Sequence, residues 1–220
     1  MQSCLALLSG LAWTVVYIQC IRVGLRDRTY AMPLVALGLN IAWETTYASH
    51  DLTGTIDAQG IINTVWALAD VMIVYTFVRF GRAEFPSLSR RLFAGWAVLI
   101  FASSYAVQWL FIGEFGWKDA AGYAAFLQNL LMSGLFVAMF VARGGLRGQS
   151  MVIAVAKWVG TLAPTIAFGA LEHSPFILGI GILCSVFDLV YVGLLWSVRA
   201  AVTAPAGPLI PPPKKSMRQA

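Results

Sequence analysis

Three carboxylates fall inside long apolar runs: Glu44, Asp70 and Asp188. A charge near the centre of a bilayer costs about 2.5–3.5 kcal/mol on insertion scales. Such a group must face a protein interior, find a partner or hold its proton. Removal from water favours the neutral acid, and a neutral carboxylic acid is a general acid already loaded at neutral pH. Each of the three lies on a stripe of polar and aromatic residues at helical spacing. Asn40, Glu44 and Tyr47 share one face with Trp43 alongside; Asn63, Trp66 and Asp70 share a second; Cys184, Asp188 and Tyr191 share a third. Two stripes without an acid, Tyr105–Gln108–Trp109 and Phe126–Asn129–Ser133, complete the set. Together they predict an interior cavity walled by aromatic rings. Ring faces stabilise a passing cation by about 0.5–2 kcal/mol each without quenching it. Acid and rings in one cavity suit a reaction that begins with a proton and runs through carbocations. Glu44, Asp70 and Asp188 are the candidate catalytic groups. Asn40, Trp43, Tyr47, Asn63, Trp66, Tyr105, Gln108, Trp109, Phe126, Asn129 and Tyr191 are the candidate substrate-binding wall.

The elements that position these residues must be membrane helices. Of the 220 residues, 59% are hydrophobic and 11% charged, with a mean hydropathy of +0.76. A soluble domain carries about 25% charged residues. Seven apolar stretches of spanning length lie at roughly 4–21, 31–49, 60–79, 92–112, 120–142, 151–171 and 175–198. Backbone groups find no water in lipid, so each stretch must be helical. The expected fold is an all-α bundle of seven transmembrane helices in a single domain, residues 1–202. Residues 203–220, with Pro211-Pro212-Pro213-Lys214-Lys215, read as a disordered cytoplasmic tail. The opening Met-Gln-Ser-Cys has no basic segment ahead of its apolar run, so the first stretch reads as a span and not a cleaved signal.

Charge sets an expected orientation. Loops one, three and five and the tail hold Arg22, Arg26, Arg28, Arg79, Arg82, Arg90, Arg91, Arg143, Arg147, Arg199, Lys214, Lys215 and Arg218. The even loops hold Asp51, Asp57, Glu114, Asp119 and Glu172 against Lys118 alone. The positive-inside rule then puts the N-terminus outside and the C-terminus in the cytoplasm, for a multi-pass protein of a bacterial cytoplasmic membrane. The net charge of +5 is accordingly an orientation signal and not a nucleic-acid patch. Lys157 is expected to snorkel to the headgroups, and His50 and His173 to be solvated. Cys4, Cys20 and Cys184 have no paired spacing, so neither a disulfide framework nor a zinc site is implied.

The strings Leu39-Asn40-Ile41-Ala42-Trp43-Glu44 and Trp66-Ala67-Leu68-Ala69-Asp70, with the lone Asp188 of the last span, resemble the small integral-membrane terpene cyclases. These are known from fungal meroterpenoid pathways and from bacterial drimentine-type pathways acting on farnesylated indole cyclodipeptides. The resemblance covers the whole chain. It implies protonation of the terminal alkene or epoxide of a prenylated scaffold, followed by closure of the polyene into rings. It makes Glu44 and Asp188 the essential acids. No diphosphate leaves in such a reaction, so no metal or other cofactor is implied; the expected partners are a prenylated small molecule and membrane lipids. The alternative is a seven-helix proton-coupled transporter of a small or lipophilic solute. Its support is a faint repeat that would make Asp70 and Asp188 equivalent. A retinal protein is excluded, because its Schiff base needs a lysine in the last span and that span has none.

Overall fold

The computed structural model describes residues 1–53 and 58–203. Asp57, and the tail expected to be disordered beyond Thr203, lie outside the described residues. Every regular element among the described residues is helical. The order is α1 (Gln2–Asp27), α2 (Leu34–Thr53), α3 (Ala58–Phe80), a 3₁₀ turn (Gly81–Glu84), α4 (Arg90–Arg143), α5 (Met151–Pro164), a π-helical turn (Thr165–Leu171) and α6 (Pro175–Thr203). Among the described residues five stretches are long and apolar enough to cross a membrane: Gln2–Asp27, Gly60–Glu84, Arg90–Arg143, Met151–Leu171 and Pro175–Ala200. The protein is a helical membrane protein.

Six α-helices are described, where the sequence reading expects seven. The stretches at 92–112 and 120–142 form one 54-residue element, α4, interrupted only at Gly116 (φ 70°, ψ 165°). That left-handed backbone is open to glycine at little cost. A straight helix would hold Gln108 and Gln128 about 30 Å apart, yet Gln108 Nε2 donates to Gln128 Oε1 at 3.1 Å. The two arms of α4 therefore fold back on each other at Gly116. A second irregularity follows Pro164, which supplies no amide hydrogen to the ladder, and the next residues widen into the π turn. Gly169 in that turn packs tightly on α6: a Cβ there would lie 2.8 Å from Leu178 Cα.

Local signals set the other ends. Arg28 takes a left-handed conformation after α1 (φ 50°), and Thr29 N–H bonds back to the Gly24 carbonyl at 3.0 Å. Ser89 Oγ caps α4 by accepting from Leu92 N–H at 3.2 Å, and Ser150 Oγ caps α5 from Val152 N–H.

Neighbouring elements close a ring in the order α1, α3, α2, α4, α6, α5 and back to α1. Large apolar side chains such as Leu11, Leu68, Leu110 and Trp196 point outward, as a lipid-facing surface requires. The half of the ring toward the arginine-rich end is largely solid: Val16, Cys20, Val23, Met32, Leu37, Ile73, Phe77, Phe136, Ile153, Tyr191 and Leu195 are packed together there, beside a smaller cavity of about 470 Å³ lined by Tyr30, Trp96, Met139 and Arg143 among others. At that end Arg143 lies over the Tyr30 ring at 4.4 Å and bonds the Tyr30 carbonyl. Arg147 pairs with Glu84 and reaches the Arg28 carbonyl at 3.0 Å. The other half of the ring is hollow.

Candidate functional site

The hollow half holds a cavity of about 820 Å³. On α1 its wall runs from Gln2 to Tyr17, a depth of about 22 Å at helical rise. Gln2, Lys118, Asp119 and Glu172 form a polar mouth, where Gln2 Nε2 donates to Glu172 Oε1 at 3.1 Å. Deeper in, the wall is Trp13, Tyr17, Trp43, Trp66, Phe126 and Met132, interrupted by Asn40, Glu44 and Asn129. Trp66 stacks on Tyr17 with ring centroids 5.8 Å apart and donates its indole N–H to Thr14 Oγ1 at 3.1 Å. Trp43 is pinned by donating to the Ala121 carbonyl at 3.1 Å. The rings are thus fixed faces around an apolar space that ends against Glu44.

Glu44 is 4% exposed and Asp70 fully buried. A single chain of hydrogen bonds joins them across three helices. Asn40 Nδ2 donates to Asp70 Oδ2 at 2.8 Å and to the Tyr17 hydroxyl at 2.6 Å. Tyr17 in turn donates to Glu44 Oε1 at 2.8 Å. Glu44 Oε2 and Asp70 Oδ1 are buried without a hydrogen-bond partner. Glu44 lies on the cavity wall and Asp70 stands behind it, reaching the cavity only through Asn40 and Tyr17.

Asp188 sits in a different setting. Lys157 Nζ donates to Asp188 Oδ1 and Oδ2 at 2.9 and 3.1 Å and to Ser133 Oγ at 2.6 Å. Both charged side chains are buried, at 0% and 1% exposure. The expectation that Lys157 snorkels to the headgroups is therefore corrected: α6 presents a carboxylate opposite it, and a paired buried cation is cheaper than an unpaired one. Asp188 is not on the cavity wall. Its link to the cavity is indirect, through Ser133, which donates to the Asn129 carbonyl, and through Thr161, which bonds both the Lys157 carbonyl and Asn129 Nδ2.

Of the expected wall residues, Asn40, Trp43, Trp66, Phe126 and Asn129 line the cavity beside Glu44. The others do not. Tyr47 packs on Trp43 at 4.7 Å and on Trp117, beside the cavity. Asn63 bonds Asp51 at 3.0 Å. Tyr105 and Trp109 are 37% and 57% exposed, because the first arm of α4 turns only the Gln108 edge of that stripe inward. Gln108 is spent on Gln128, and Tyr191 donates to Gln149 Oε1 within the solid half. Trp13 and Tyr17, absent from the expected set, are an aromatic pair at i, i+4 on the first span, a pattern that core packing produces equally well. His50 is exposed as expected, although its ring stacks on Trp117 at 4.0 Å. Among the described residues no three of His, Cys, Asp or Glu gather as a metal site.

Comparison with known proteins bears on this geometry. Residues 1–201 match the family described as Pyr4-like transmembrane terpene cyclases. The chain is 33% identical over 172 residues to the Pyr4-family terpene cyclase mfmH of Annulohypoxylon moriforme, covering 76% of this chain and 69% of that protein. It is 28% identical over 210 residues to terpene cyclase pyr4 of Aspergillus fumigatus, covering 88% and 85%. With terpene cyclase ascF of Acremonium egyptiacum the identity is 33% over 169 residues, 70% of this chain and 61% of the other. These relatives are fungal, which gives no support to the bacterial membrane expected above. No solved structure matches the chain.

Proposed function

Because this chain belongs to the Pyr4-like transmembrane terpene cyclases and is a terpene cyclase, we propose that it protonates the terminal alkene or epoxide of a farnesylated scaffold and closes the polyene into rings. The observation that carries this reading is Glu44, an acid on the wall of a ring-lined apolar cavity whose second oxygen is buried without a hydrogen-bond partner. The tail enters first, its reacting end against Glu44, while a phenolic or indole head group stays at the polar mouth. Trp13, Tyr17, Trp43, Trp66 and Phe126 present ring faces to the cations formed along the chain. Substrates of the meroterpenoid or farnesylated indole class fit a mouth that leaves the head group in a wet, polar rim.

Glu44 donates the first proton. Asp70 anchors Glu44 through Asn40 and Tyr17. Asp188, held by Lys157, shapes the Asn129 side of the wall and is not the initiating acid. The two arms of α4 each cross the bilayer, giving seven passes in one domain over residues 1–202, with the N-terminus outside and the arginine-rich end in the cytoplasm. The transporter alternative has no observation in its favour once the family is known.

Heavy water tests the reaction. The Glu44 proton exchanges with solvent between turnovers, and a different proton leaves from carbon at the end. The product is an isomer of the substrate. With a farnesyl indole it carries one deuterium at the ring carbon derived from the terminal double bond. With an epoxyfarnesyl indole the proton goes to oxygen, so a ring hydroxyl appears and carbon stays unlabelled. Unchanged, unlabelled material from folded protein across farnesyl and epoxyfarnesyl indoles and phenols would overturn the reading.

A further inference from the structure

We infer that Tyr17 is a positioning residue that selects which oxygen of Glu44 delivers the proton. This rests on the reading of Glu44 as the acid. The argument is one of donor and acceptor counting. The Tyr17 hydroxyl accepts from Asn40 Nδ2 at 2.6 Å, so its own hydrogen is free to point at Glu44 Oε1, 2.8 Å away. Asn40 Nδ2 serves both partners, which makes Asp70 Oδ2 and the Tyr17 oxygen acceptors in this arrangement; the reverse orientation would need a hydrogen on each of them. Glu44 Oε1 is therefore an acceptor. The acid proton sits on Oε2, which has no protein partner, on a residue that lines the cavity.

The same bond acts during proton transfer. The Oε2–H bond breaks, and its electron pair stays on the carboxylate. A C–H bond forms from the alkene π pair, or an O–H bond at an epoxide, leaving a cation on substrate. The new negative charge is shared onto Oε1, where the Tyr17 O–H waits. A hydrogen bond to a charged group is roughly twice as strong as one between neutral groups. It is therefore stronger after transfer than before, which is the differential binding that accelerates a step. The ring of Tyr17 is held for this task by Trp66 stacked at 5.8 Å and Trp13 at 6.3 Å.

Tyr17→Phe keeps the ring and its stacking and removes only the hydroxyl. The full chain in lipid nanodiscs is compared as wild type, Glu44→Gln and Tyr17→Phe by infrared spectroscopy in the carboxylic C=O region, which needs no substrate. The band lost in Glu44→Gln belongs to Glu44. In Tyr17→Phe it should move to higher wavenumber, because the carbonyl oxygen Oε1 has lost its donor. With a farnesyl or epoxyfarnesyl indole that the wild type turns over, kcat should fall about 10- to 100-fold in Tyr17→Phe while KM stays within about threefold. A band that stays in place, or a kcat within threefold of wild type, overturns the role of Tyr17 and leaves Glu44 standing. Full turnover in Glu44→Gln instead removes the donor reading itself, whatever Tyr17→Phe does.

Discussion

Two buried polar clusters occupy this bundle, and they are built on opposite principles. Around Glu44 two carboxyl groups share a chain of neutral donors, Asn40 and Tyr17, and among the described residues no cation pairs with them. Around Asp188 one carboxylate is matched by one ammonium, and Ser133 takes a further Lys157 hydrogen. The first cluster opens on the cavity and keeps an oxygen unpartnered; the second is sealed from it. An acid without a counter-cation is suited to hold a proton and release it to a substrate. A neutralised pair is suited to stay as it is. Burial alone does not tell these apart, since all four charged or acidic groups are nearly inaccessible. The partner set does.

The largest expected effect breaks the neutralised pair. Lys157→Met removes the cation and strands Asp188, and removing one member of a buried pair costs about 3–5 kcal/mol. The thermal unfolding midpoint in detergent should drop sharply. The double variant Lys157→Met/Asp188→Leu should recover most of that loss, because a buried pair is replaceable by apolar groups of similar volume. If the double variant is no more stable than the single one, Asp188 is not simply a partner for Lys157.

Next in size is Glu44→Gln, which keeps shape and polarity but has no proton to give. Turnover should fall at least about 100-fold, equivalent to about 2.7 kcal/mol of barrier, with a thermal midpoint near that of wild type. The contrast with Lys157→Met is diagnostic: one variant folds and does not react, the other loses fold before function. A Glu44→Gln enzyme that turns over at the wild-type rate would move the proton donor elsewhere.

How far the sequence foretold this division can be read from particular residues. That the apolar stretches are helices was legible, because hydrocarbon leaves the backbone no other partner. The interior position of Glu44, Asp70 and Asp188 was legible for the same energetic reason. The pairing of Lys157 with Asp188 was not: a lysine's long stem permits either snorkelling or burial, and the choice depends on what α6 presents across the interface. The reversal at Gly116 was legible in outline, since the apolar stretches stop at 112 and resume at 120 around Gly113, Glu114, Gly116, Lys118 and Asp119; that helix would run up to Gly116 from both sides was not. Periodicity put Tyr105 and Trp109 on the face of Gln108, but the direction that face meets is set by the fold-back of α4. Tyr17 was invisible because an aromatic residue in a first span is ordinary packing until its hydroxyl is seen to meet an acid.

The smallest effect, and the one that probes the first cluster from within, is Asp70→Asn. Asp70 is an acid with no cation beside it, so it could serve as a reserve of protons for Glu44 or merely as an anchor. The geometry favours the anchor. Asp70 Oδ2 is the acceptor for Asn40, and the carbonyl of an asparagine at position 70 can accept that same bond. The chain from Asn40 through Tyr17 to Glu44 would survive, and Glu44 can recover its proton from the polar mouth between turnovers. Turnover in Asp70→Asn should therefore drop less than about tenfold. Asp70→Leu should do more harm than Asp70→Asn, because it leaves the Asn40 hydrogen buried and unpaired at a cost of about 1–3 kcal/mol. Steady-state rates of the two variants, measured beside Glu44→Gln in the same membranes, check the order. A loss in Asp70→Asn as deep as that in Glu44→Gln would mean that the proton itself passes through Asp70, and the first cluster would then be a relay of two acids, not one acid on a scaffold.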